Sequence, residues 1–162
     1  RRLHIEELLA SELVLEGFFD QVDAIVAATV VCCIGRDEDR TRGRSKTKVL
    51  PKNIVSEVES ISNLIRETEA KHLGYRGHGK INWDIAEAAY LWALGEDIHE
   101  ISRRTGFYEG DIISAIRQGV DLLRQLKRVY VEVRGFKDTP GYDIVRKAYS
   151  LMDRSILREF SP

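Results

Sequence analysis

At 162 residues, with 43% hydrophobic and 31% charged side chains, the chain is long enough to bury a sizeable core and too apolar to remain disordered. A formal net charge of −1 excludes a polycation that would coat nucleic acid along its whole surface, so any such contact must come from a local patch. The longest apolar run, residues 24–34, falls far short of the ~20 residues that cross a bilayer, and no secretory leader pattern opens the chain.

Three prolines and a prevailing 3.6-residue periodicity predict an all-α protein. Residues 4–15 form the first helix, with Ile5, Leu8, Leu9 and Leu13 as its stripe. Gly17 ends it, and Asp20 or Asp23 can cap the next. That second helix, residues 24–34, is apolar all round, as suits a central, buried element. Cys32 and Cys33 stand side by side within it. Adjacent cysteines bridge only with strain, and these lack the spaced partners of a zinc site. They read as small buried hydrophobes in a reducing compartment, which gives a cytoplasmic expectation, or a nuclear one in a eukaryote.

Residues 36–52 follow, RDEDRTRGRSKTKVLPK, with seven Lys/Arg against three Asp/Glu and no apolar period. This is an exposed basic loop, either solvated or in contact with phosphates. Asp37 and Asp39 sit among its arginines and make no convincing metal set. A long amphipathic helix, residues 51–73, carries Ile54, Val58, Ile61, Ile65, Thr68 and His72 on one stripe, with Pro51 in its first turn. YRGHGK, residues 75–80, lacks the GxxxxGK[ST] pattern, so it is a turn rather than a phosphate cradle, and His78 is a loop histidine. The fourth helix, 83–94, packs through Ile85, Ala88, Ala89 and Trp92. Asp97 with Glu100 forms a capping box that opens a short fifth helix, 97–105, which Gly106 closes. The sixth helix covers 109–131, and the seventh 142–160 through Val145, Ala148, Met152 and Ile156. Residues 130–133 are strand-like in type but have no evident partner, so a helix end is expected there. The sum is an all-α bundle of about seven helices, read as a single domain over residues 1–162.

The fifth and sixth helices fit the helix-turn-helix template. A major-groove reader needs Arg, Asn or Gln at the start of its second helix. Here that start is Tyr108, Glu109, Gly110 and Asp111, whose acids repel phosphates but suit the helix dipole. The sixth helix instead offers a polar stripe of Ser114, Arg117, Gln118, Asp121, Arg124, Gln125 and Arg128, with Arg117 and Asp121 spaced to pair. The stripe is either a solvated, self-paired face or a rail for a polynucleotide. Gly119 in mid-helix costs roughly 1 kcal/mol relative to Ala, which requires a close approach there or a tolerated kink.

AYLWALGEDIHEISRRTGFYEGDIISAIRQGVDLLRQL, residues 89–126, resembles the C-terminal helical (DSHCT) domain of DExH RNA helicases of the superkiller and exosome-associated type, HelY-like members included. Tyr90, Trp92, Gly95, Glu100-Ile101, Thr105, Glu109-Gly110, Ile113 and Leu122-Leu123 carry the pattern. ELVLEGFFDQVDAIVAATVVCC, residues 12–33, is similar to the family's opening helix pair. The resemblance implies a bundle that packs on the motor domains of the same chain and borders the channel for single-stranded RNA, with an RNA-degrading complex as a possible further partner and no membrane. Carried over by position, it places strand contacts near Arg36 and Glu38 and at Ser114, Arg117 and Gln118, with Arg124 extending the stripe. Many relatives in that family carry arginine where Ser114 and Gln118 stand and leucine where Gly119 stands, so this chain's grip on RNA should be weaker.

No catalytic motif is present in the sequence: there is no Walker lysine and no DExH box. ATP and magnesium would belong to a parent helicase, and no cofactor or metal is expected in this chain. The chain begins Arg1-Arg2 and has Met152 as its sole methionine, which suggests a piece of a longer protein. Two other readings stand beside this one: a helix-turn-helix DNA-binding regulator, and a protein-interaction bundle whose basic loop is solvated or meets an acidic partner.

Overall fold

A computed structural model describes residues 2–34, 50–73, 83–133, 135–154 and 156–159. The described residues form an all-α bundle: α1 (Arg2–Leu15), α2 (Ala24–Cys33), α3 (Lys52–Leu73), α4 (Ala86–Ala93), α5 (Ile98–Thr105), α6 (Glu109–Glu132), α7 (Pro140–Met152) and α8 (Ile156–Glu159). Short 3-10 turns at Phe18–Gln21, Trp83–Ile85 and Phe136–Asp138 connect or extend them. The expected basic loop up to residue 49, and the glycine-rich stretch 75–80 with His78, lie outside the described residues.

Four helices assemble around α2. Val26 to Cys33 are all buried, and α3, α4, α6 and α7 each pack against this helix. A helix that is apolar on every side can only be covered on every side, which is why the run 24–34 becomes the axle of the bundle. Its single polar interior residue, Thr29, satisfies its hydroxyl by donating to the Ile25 carbonyl at 2.9 Å. Cys33 does the same with its thiol toward the Thr29 carbonyl, so both cysteines serve as buried packing groups.

Asp23 caps α2 by accepting from Val26 N at 2.9 Å. Asp20, the other capping candidate, serves a different helix: it accepts from Gly141 N, 121 residues away, at 2.9 Å. Thr139, the local N-cap residue, makes no side-chain cap bond to α7; its hydroxyl donates to the Phe136 carbonyl at 2.6 Å. An alanine methyl at position 141 would lie 2.7 Å from Asp20 Oδ1 and 3.1 Å from Tyr130 Cζ, so the glycine makes room for the cap. Burial, and then the nearby Asp20 charge, push the Tyr130 phenol above its ordinary pKa.

Two expectations need correction. The box at Asp97 is half closed: Asp97 accepts from His99 N (3.0 Å) and Glu100 N (3.3 Å), but the Glu100 carboxylate turns away to pair with Arg103. The seventh helix does not run unbroken to residue 160; it stops at Met152, and α8 resumes at Ile156. Trp92 lies at the break: its indole Nε1 donates at 3.0 Å to the Met152 carbonyl, which also accepts from Arg154 N at 2.9 Å. Arg154 then lays its guanidinium 3.9 Å from the Trp92 ring centroid and donates to the carbonyls of Trp92 (3.3 Å) and Glu96 (3.0 Å).

Candidate nucleic-acid interface

The interface candidate is the outward face of α6, positioned by the α5–α6 turn beneath it. Gly106 adopts φ 84° and closes α5 with a bond from its N–H to the Ser102 carbonyl. Ser102 Oγ donates to the Phe107 carbonyl (2.6 Å), and Thr105 Oγ1 donates to the Ile101 carbonyl (2.7 Å). Phe107 is wholly buried, so the turn is fixed from inside as well as by its hydrogen bonds. His99 Nδ1 and Glu109 Oε2, 2.5 Å apart, clasp the start of α5 to the start of α6. The Glu109 hydrogen bond and charge hold the His99 imidazole above its ordinary pKa.

From this start α6 runs 24 residues with two unlike faces. Ile112, Ile116, Val120, Leu123 and Leu126 are buried, joined by Ile113, Ala115, Gly119, Leu122 and Tyr130. The outer side carries Gly110, Ser114, Gln118, Asp121, Arg124 and Arg128, all exposed. A hollow of about 220 Å³ lies along the first half of this side, lined by Gly110, Ile113, Ser114, Arg117, Gln118 and Asp121.

The six proposed strand contacts separate in space. Ser114 and Gln118 share the hollow and face outward. Arg117 borders the same hollow but is half-buried, and its Nη2 donates to the Leu157 carbonyl of α8 at 2.6 Å. The expected Arg117–Asp121 pair is replaced by Asp121–Arg124 at 2.9 Å. The reason is that the C-terminal helices offer Arg117 a carbonyl, while Asp121 keeps the arginine one turn on. Arg124 also leans over the Tyr149 ring of α7, 5.6 Å from its centroid. Arg36 and Glu38 lie outside the described residues.

Gly119 is explained by a neighbour within the fold. A methyl added there would collide with the Cys32 sulfur and lie 3.3 Å from the Cys32 Cα. The close approach is therefore that of α2 to α6, on the side away from the stripe. No sequence signal distinguished this from an approaching ligand, because a glycine spacing is the same for both.

Bundle and face together define a class: an all-helical module that buries one side of a long helix and presents its polar side outward. The chain belongs to the DSHCT (NUC185) domain family, whose pattern matches residues 2–160. It is 28% identical over 162 residues to the DExH-box ATP-dependent RNA helicase DExH9 of Arabidopsis thaliana, covering 94% of this chain and 15% of that protein. It is 24% identical over 130 residues to the exosome RNA helicase MTR4 of Homo sapiens, covering 75% of this chain and 12% of that protein. A helicase of Schizosaccharomyces pombe shares 25% identity over 130 residues, covering 78% and 13%. The chain thus spans about an eighth of the length of these relatives.

Proposed function

We propose that this chain is the accessory helical domain of an ATP-dependent RNA helicase, that it packs on the motor domains, and that the outer side of α6 borders the path of single-stranded RNA. ATP and magnesium are handled by the motor, and the bundle contributes a wall. The observation that carries the reading is the hollow at Ser114 and Gln118 on a helix whose opposite side is fixed in the core. A wall of this kind is rigid along its length, so a strand that advances past it during motor closure meets the same side chains at each step and slips back less. Gln118 can hydrogen-bond a base edge, and Ser114 leaves room for one. Arg117, tied to Leu157, shapes the end of the hollow rather than reaching into the channel.

In the helicase that contains this chain, Ser114→Glu with Gln118→Glu should lower strand unwinding per ATP while leaving nucleotide binding unchanged. Gln118→Arg should do the reverse, tightening single-strand binding and steepening its log–log salt dependence by about 0.7, the increment for one added phosphate contact. Unwinding and salt dependence untouched by both changes would rule the wall out.

A further inference from the structure

A second groove opens between the C-terminal half of α6 and α7, beside the start of α2. Its volume is about 710 Å³, and Ala24, Lys127, Asp143, Arg146, Lys147 and Tyr149 are among its lining. That is the size of a cleft that takes a ligand rather than a crease between helices.

Its cations are held in an unusual way. The Lys127 ammonium lies 4.2 Å from the Tyr149 ring centroid, and the Arg146 guanidinium carbon lies 5.6 Å from that of Tyr142. A ring face positions a cation without cancelling its charge, whereas a carboxylate does both. Lys147 shows the contrast: Asp143 takes its ammonium at 3.1 Å. Among the described residues Lys127 and Arg146 have no such carboxylate. They are therefore fixed charges still available to an anion.

A chain of side-chain contacts links the groove to the α6 hollow. Asp121 lines the hollow, Arg124 pairs with Asp121, and Arg124 shares the Tyr149 ring with Lys127. A strand lying along α6 would pass Arg124 and reach Lys127 and Arg146 with no second partner required. We infer that this groove is a second track for the same single strand, in which Lys127 and Arg146 each hold one backbone phosphate. The inference rests on the strand-bordering reading of α6 and extends it onto α7.

The test is fluorescence anisotropy of this chain with a labelled oligouridylate of about a dozen nucleotides, within the range one small module covers, across a salt series. Lys127→Glu with Arg146→Glu should weaken binding and flatten the log–log salt slope by about 1.4, or 0.7 for each lost contact to a single strand. Lys127→Gln with Arg146→Gln, which adds no repulsion and keeps side-chain bulk, should flatten it equally; circular dichroism verifies the fold of both. Arg66→Glu with Lys71→Glu, the same charge change on α3, should leave the slope in place. The inference is overturned if the unaltered chain binds no oligouridylate, if the groove variants keep its slope, or if the α3 control flattens it as much. Polyglutamate that displaces the strand at equal charge would assign the groove to an acidic protein segment and also overturn it. Should the Ser114/Gln118 changes impair unwinding while the groove variants keep the slope, the wall reading stands and the second track falls; the opposite pattern separates them the other way.

Discussion

Replacing Gly119 by alanine tests whether the glycine serves the fold. In mid-helix, alanine is ordinarily more favourable than glycine by about 1 kcal/mol, so on a solvent-facing side the change would stabilise the protein. At position 119 the new methyl points at α2. It would overlap the Cys32 sulfur and sit 3.3 Å from the Cys32 Cα and 3.4 Å from its backbone nitrogen. The sulfur belongs to a fully buried side chain, and the other two atoms are main chain, so relief requires α2 and α6 to separate. Overpacking of this kind costs about 1–3 kcal/mol. Set against the propensity gain, the expected result is a net loss of up to about 2 kcal/mol, read as a lower urea midpoint at constant m. Combining Gly119→Ala with Cys32→Ala removes the nearest obstructing atom and should recover at least about 0.5 kcal/mol relative to additivity. A stabilised Gly119→Ala variant, or strict additivity in the pair, would refute the account of the glycine as a helix-crossing residue.

Arg154→Ala should cost about 2–3 kcal/mol in chemical denaturation, because hydrogen bonds from a charged donor contribute about 1.5–3 kcal/mol and the stacked Trp92 ring adds up to about 2. Arg154→Lys should recover less than half, since an ammonium cannot reach both carbonyls while covering the ring; a loss below about 0.5 kcal/mol for the alanine variant would show that the break between α7 and α8 does not depend on it. The His99–Glu109 clasp should strengthen on acidification. His99 has a folded-state pKa raised above 6.5, so its contribution is complete below pH 6.5 and is lost as pH rises through the folded value. His99→Gln should therefore flatten the pH dependence of the urea midpoint on the alkaline side of pH 6.5, and an identical profile in the two proteins would remove the clasp as its source.

Much of the bundle was legible in the sequence. The apolar run 24–34 has no polar side to show to water, so its place at the centre followed from composition alone. Asp97 and Gly106 marked the ends of α5, because capping chemistry is set within one turn of chain. The outer placement of Ser114 and Gln118 followed from the helical period. The Lys127–Arg146 groove was less visible: Tyr142 and Arg146 stand four apart on α7, but Lys127 meets Tyr149 across two helices, a contact that periodicity does not place.

Apart from the break after Met152, sequence by itself determined the helices, their apolar sides and the family pattern, since each depends on residues a few positions apart. Only the tertiary structure decided which group each long polar side chain meets. Arg117 chose a carbonyl 40 residues away over an acid one turn away, and Asp20 capped a helix 121 residues away rather than the one next to it. Propensity and period act along the chain over one or two turns, whereas a hydrogen bond needs a partner at about 3 Å in space, and no spacing in the sequence reports that distance.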